Sequence, residues 1–246
     1  MIAIGIAPPS LLSHVDPRVR LLCALFASVW IAATPRLLPL AALAGCGLLL
    51  AVIARVPARV LLRRLFVLNA FMALVLVTLP LSPGGEVLWQ FAGVGLYHDG
   101  LMHALRIVLA GHALTLLFVA LVVTLEPVTL AHALLHLKVP DKLVRILMFA
   151  IRYIDVLHDT RLRRERAIRA RGFSARCDRH TVRTTAHLVG SLVGDSLARA
   201  QRIEQAMRAR GWRGGFPMLH HFHLRVSDLA FGLLFAACLL SIGVIA

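Results

Sequence analysis

Five stretches of this chain are nearly unbroken runs of apolar residues, at about 19–34, 37–54, 65–81, 101–125 and 227–246. Each is about long enough to cross ~30 Å of hydrocarbon as a helix rising about 1.5 Å per residue. Two prolines in "ATPRLLP" (33–39) break the first pair of runs and predict a tight connection. "SPGGEVLWQFAGVGLYHDG" (82–100) reads as a longer Gly-rich loop, with Trp89 and Tyr97 as rings suited to a membrane interface. The pattern predicts an all-α, polytopic membrane bundle of about five crossings.

The stretch 126–226 breaks this pattern. "DKLVRILMFAIRYIDVL" (141–157) is apolar, but Lys142, Arg145, Arg152 and Asp155 interrupt it. Each such charge at mid-bilayer costs about 2.5–3.5 kcal/mol on insertion scales. It therefore reads as a helix partly immersed in one face of the membrane, and as a sixth crossing only if 186–198 crosses back. From 161 to 213 alanines and aliphatic residues recur among arginines, and no proline occurs between 141 and 216. This predicts two long helices joined near "GFSARCDRH" (172–180). The organisation is then about four membrane helices over 1–125, a cytoplasmic or interfacial module over 126–226, and a last membrane helix at 227–246.

Composition sharpens the picture. The chain has 246 residues, 59% of them hydrophobic, with a mean hydropathy of +0.80. That is too apolar for an ordinary soluble domain. It carries 27 Lys and Arg against 12 Asp and Glu, a net charge of +15. Fourteen arginines and four acids fall within 161–213, so that segment alone holds +10. Arg18 and Arg20 precede the first run, and Arg55, Arg59, Arg63 and Arg64 fill the loop before the third. The opposite side holds Arg36 alone, with Arg106 inside the fourth run. The positive-inside rule then places the N-terminus and 126–226 in the cytoplasm and the C-terminus outside. No cleavable signal is visible in the first seventeen residues. Cys23, Cys46, Cys177 and Cys238 form no C-x-x-C pair and read as reduced thiols.

Within the basic segment the chain writes one phrase twice. Glu165-x-Ala167-Ile168-Arg169-Ala170-Arg171-Gly172-Phe173 aligns with Glu204-x-Ala206-Met207-Arg208-Ala209-Arg210-Gly211-Trp212. Each copy reads as a helix C-terminus. Gly is favoured just past the last turn because it accepts the left-handed conformation, and Arg faces the negative pole of the helix dipole. The aromatic after Gly can fold back on the last turn. Alanines leave the backbone open to close approach. A planar guanidinium that stays charged when desolvated suits docking to carboxylates. The doubled phrase therefore reads as two equivalent docking ends for two copies of a partner, against the simpler reading of two capped, solvated basic helices.

The paired Ala170-Arg171-Gly172 and Ala209-Arg210-Gly211 resemble the signatures of the transmembrane T subunit of energy-coupling factor (ECF) transporters. "DPRVRLL" (16–22) resembles the approach to that family's first helix. "DSLARAQRIEQAMRARGWRGGFP" (195–217) is similar to the cobalt/nickel branch, the CbiQ-like subunits. The resemblance implies a coupling subunit in the cell (inner or plasma) membrane. It would dock two cassette ATPase subunits through Arg171 and Arg210, with Arg169, Arg208 and the flanking Ala and Gly, and would hold a substrate-capturing integral membrane S subunit. ATP and Mg²⁺ would belong to the ATPases, and Co²⁺ or Ni²⁺ would be cargo. The chain contains no G-x-x-x-x-G-K-[ST] loop that would cradle phosphates itself. No nucleic-acid partner is implied.

Rival chemistry is sparse. His220, His221 and His223 precede the last run, and three converging imidazoles would suit Ni²⁺ or Co²⁺. Polar residues at a helix start explain them more simply. Asp99 and His103 share a helix face near the outer mouth of the fourth run, with Arg106 a turn deeper. Asp155, His158 and Asp159 would serve a metal-dependent intramembrane enzyme, unless they pair with Arg152, Arg161 or Arg163. No metal site is assigned from these. The alternatives to a coupling subunit are that enzyme and a membrane-anchored Arg-rich module binding anionic lipid or nucleic acid.

Overall fold

The computed structural model describes residues 11–82, 87–91, 94–212 and 226–244. They divide into two compact units, 11–137 with 226–244, and 138–212.

The first unit is a bundle of apolar helices. In order they are α1 (Pro17–Ala33), α2 (Leu37–Ile53), α3 (Ala58–Thr78), α4 (His98–Phe118), α5 (Pro127–His136) and α8 (Val226–Val244). Each of the five apolar runs falls on one of them. Ala58–Leu81, His98–Val123 and Val226–Gly243 are long and apolar enough to cross a membrane. The 17 residues each of α1 and α2 span about 25 Å. Phe66, Leu233 and Leu234 lie more than 70% exposed, as lipid-facing positions do.

Local chemistry sets the ends. Asp16 caps α1, its carboxylate accepting from the Arg18 N–H at 2.9 Å, and Pro17 occupies the first turn, where no N–H is needed. Thr34 is extended because Pro35 follows it. Where a longer Gly-rich loop was expected, the structure has an antiparallel hairpin, β1 (Val87–Phe91) with β2 (Val94–Tyr97). Val, Trp, Phe and Tyr favour a strand, and they outweigh the glycines around them. All other described elements are helical.

The core is small. Ala27, Ile31, Leu40, Leu43, Ala113, Leu117, Leu121 and Leu239 are almost fully buried. α2 and α4 pack tightly at Gly47, where an added Cβ would lie 2.9 Å from the Leu116 Cβ and 3.1 Å from the Leu117 N. Small residues permit such contact between membrane helices.

The C-terminal end of α4 is irregular. Its last turns widen into a π-helix over Val119–Val123. Arg20 reaches this segment from α1 and donates to the Ala120 carbonyl at 3.1 Å, to the Leu12 carbonyl at 3.3 Å and to Thr124 Oγ1. Arg20 is 2% exposed, so it is part of the packing inside α1 and not a charge preceding the first run. Carbonyls misaligned by a π turn need outside donors, and a guanidinium supplies several. Nearby, the Asp16 N–H donates to Asp228 Oδ1 at 3.1 Å, tying the first turn of α8 to the start of α1.

The second unit is an antiparallel helical pair, α6 (Asp141–Ala170) and α7 (Arg179–Ala209). The two long helices join over 171–178, as the repeat predicts. The stretch 141–157 is no separate element, because no Pro or Gly interrupts the chain before Gly172 and α6 runs straight through. Ile146, Phe149 and Tyr153 of α6 face Ala200, Ile203 and Met207 of α7 across an apolar groove. Further along, Arg164 bonds Ser191 and Asp195. Asp178 caps α7, accepting from the His180 N–H at 3.0 Å.

Candidate functional site: two matched helix ends

The ends of α6 and α7 have the same backbone. Gly172 and Gly211 both adopt left-handed conformations, with φ of +83° and +77°. The Phe173 N–H donates to the Ile168 carbonyl at 3.3 Å, and the Gly172 N–H to Arg169 at 3.0 Å. The second copy repeats both bonds: Trp212 to Met207 at 3.0 Å, and Gly211 to Arg208 at 3.0 Å. Each is a Schellman motif, closing orphan carbonyls of the last turn. Ile168 with Phe173, and Met207 with Trp212, are the half-buried residues of each end, matching the apolar contact that accompanies this motif.

The side chains are matched too. Arg169 donates to Glu165 Oε1 at 2.6 Å, and Arg208 to Glu204 Oε1 at 2.5 Å, each across one turn. The four motif arginines therefore fall into two kinds. Arg169 and Arg208 are held along their own helices by an acid. Arg171 and Arg210, at the cap positions, are exposed, and their side chains make no hydrogen bond or ion pair among the described residues. Ala170, Gly172, Ala209 and Gly211 are exposed beside them. The acids align in the two copies of the sequence. Their i to i+4 spacing from Arg169 and Arg208 was the available signal for the pairs.

The antiparallel pairing sets the two ends apart. Phe173 packs on His180 at the start of α7, ring centroids 6.2 Å apart. At the other extreme, Met207 shares the groove with Ile146, near the start of α6. The Arg171 end and the Arg210 end thus lie at opposite extremes of the pair, separated by about 45 Å of helix at about 1.5 Å per residue. Arg166, Arg176, Arg179 and Arg202 are exposed along the same unit. The net result is a strongly cationic helical pair in which each end carries a motif guanidinium, Arg171 or Arg210, that is not tied to its own helix.

The other constellations stay apart. His220, His221 and His223 lie outside the described residues. Asp99 is exposed and faces His98 at 3.5 Å, with His103 exposed one turn on. Among the described residues no three His, Cys, Asp or Glu side chains gather as metal ligands. Asp155, His158 and Asp159 share a face of α6 and make no ion pair with Arg152, Arg161 or Arg163 among the described residues. Cys23, Cys46, Cys177 and Cys238 are free thiols.

Comparison with known proteins adds a family to this geometry. The cobalt transport protein family CbiQ matches residues 9–221. A cobalt transport protein CbiQ of Rhodobacter capsulatus is 30% identical over 156 residues, 62% of this chain and 63% of that protein. This chain therefore aligns with slightly under two thirds of that relative's length. An energy-coupling factor transporter transmembrane protein EcfT of Acidaminococcus fermentans is 27% identical over 216 residues, 84% of this chain and 81% of its own. A second EcfT, from Exiguobacterium sibiricum, is 29% identical over 141 residues, 53% and 54% of the two chains. The matched stretch takes in both long basic helices and their Arg-Gly ends, and the chain belongs to the CbiQ family of cobalt transport proteins.

Proposed function

We propose that this chain is the transmembrane coupling subunit of an ATP-driven importer of cobalt or nickel, lying in the cell membrane with its N-terminus in the cytoplasm. Two cassette ATPase subunits dock at the two ends of the α6–α7 pair, one around Arg171 and one around Arg210. A separate integral membrane subunit captures the metal. ATP and Mg²⁺ are bound by the ATPases, so this chain carries out no hydrolysis itself. The names carried by its relatives, cobalt transport protein and energy-coupling factor transmembrane protein, support the assignment.

One observation carries the reading: each helix ends in the same cap, with one arginine tied to its own helix and the next one free. A lipid-binding cluster needs charge but no repeated geometry. A docking site needs a fixed guanidinium that meets a carboxylate in a set direction. Coupling also requires contacts that differ between two states of the motor, and rigid helices with charged ends can transmit such a difference. The remaining arginines favour the cytoplasmic side by the positive-inside rule.

The test is co-purification. The chain is expressed with its ATPase and the metal-capturing subunit, and wild type is compared with Arg171→Glu plus Arg210→Glu. Wild type should retain two ATPase subunits per chain, and the double variant should lose both and stop metal uptake. Undiminished ATPase retention and uptake in the double variant would overturn the proposal.

A further inference from the structure

We infer that the membrane unit holds an anionic phospholipid, its headgroup on Arg64 and one acyl chain in the groove between α1, α4 and α5. This goes beyond the coupling role and needs neither ATPase nor metal.

The groove has a volume of about 560 Å³. Its walls are Leu22 and Leu25 of α1, Leu114 and Phe118 of α4, Val122 of the π segment and Leu134 of α5. Arg64 of α3 is its one charged lining residue. Leu25 is 63% and Phe118 50% exposed, so the groove opens sideways toward the hydrocarbon. It stays open because α3 packs chiefly on α4 and buries little of its own surface.

Arg64 is exposed and makes no hydrogen bond or ion pair among the described residues. It lies six residues into α3, about 9 Å from the helix start, where a long side chain can reach the headgroup level. Arg59 and Arg63 are exposed in the same two turns, so the mouth of the groove is the cationic end of this unit. An apolar slot with a guanidinium at its membrane-surface end matches the two halves of a lipid. The bidentate fork suits a phosphate, and the net positive mouth selects an anionic headgroup over a zwitterionic one. A partner helix would fill the slot but would leave Arg64 needing a carboxylate, so the lipid is the simpler occupant.

The experiment uses the full chain purified in detergent, titrated with phosphatidylglycerol or phosphatidylcholine of identical acyl chains and read by native mass spectrometry. Wild type should retain phosphatidylglycerol with at least a fivefold preference. Arg64→Gln should abolish the preference, Arg64→Lys should keep most of it, and Arg36→Gln, away from the groove, should change nothing. Leu25→Trp, which fills the slot, should reduce retention of both lipids. Equal retention of the two lipids by wild type, or an unchanged preference in Arg64→Gln, would overturn the inference. So would a co-expressed metal-capturing subunit that cross-links through Leu114→Cys and excludes lipid, because the groove would then be a protein interface.

Discussion

The guanidinium of Arg20 donates to the backbone carbonyl of Ala120 at 3.1 Å, joining the first turns of α1 to the π segment that ends α4. The same guanidinium reaches the Leu12 carbonyl and Thr124 Oγ1. One side chain thus satisfies three groups on two separate stretches of chain.

Removing it should cost stability more than any surface arginine does. Arg20→Met keeps the volume but leaves buried acceptors short of donors, a loss of about 2 kcal/mol. Ala120 retains the Thr124 hydroxyl, which donates to its carbonyl at 2.8 Å, so Thr124→Val should add to the effect. Thermal unfolding in detergent measures both. An unchanged Tm in Arg20→Met would mean that water or lipid takes over the guanidinium's role.

The motif arginines should separate by kind. Arg171→Lys and Arg210→Lys keep the charge and lose the planar fork, so each should weaken ATPase retention by about tenfold. Arg169→Gln and Arg208→Gln break an exposed pair along one helix, worth only a few tenths of a kcal/mol, and should affect retention far less. Equal effects at all four positions, measured by retention under increasing salt, would point to diffuse charge and not to oriented docking.

Gly172 and Gly211 face open space, so a side chain there meets no steric obstacle. Their cost lies in φ alone. Gly172→Ala and Gly211→Ala should each destabilise their helix end by about 1 kcal/mol, and Asn, which tolerates the left-handed region better, should cost less. Hydrogen exchange of the last-turn amides measures the loosening. Indifference to Ala at both sites would show that the caps contribute little.

Gly47 makes the opposite case, with an ordinary φ and no space. A methyl group there meets the Leu116 Cβ and the Leu117 backbone, and backbone cannot rotate away. Gly47→Ala should cost about 1–3 kcal/mol through overpacking of α2 on α4. Gly45→Ala, two residues away with nothing near its Cβ, is the control. Similar Tm values for the two variants would count against the tight α2–α4 contact.

Much of this was legible in the sequence because the signals are local. Apolar runs gave the membrane helices, and the doubled Arg-Gly-aromatic phrase gave two capped ends near residues 172 and 211. What escaped depends on distant or competing contacts. Nothing near Arg20 shows that a carbonyl 100 residues away will require it, so it read as a flanking charge. The interrupting charges at 142–155 suggested a separate immersed helix, but charge alone does not end a helix and α6 continues to Ala170. The hairpin at 87–97 was hidden by its glycines. The pairing of Glu165 with Arg169 follows from spacing and was visible, yet which arginine remains free emerges only with the cap geometry.

Two helices that run antiparallel and finish alike carry a local dyad: turned by half a revolution, each end takes the place of the other. A single chain thereby presents a face with two matched ends. A motor that is itself a pair of equivalent halves can grip that face with both at once. Each grip raises the effective concentration of the second, so two modest contacts hold as one firm one. In the assembly proposed above, the phrase written twice in the sequence would let one polypeptide meet a dimer without becoming one.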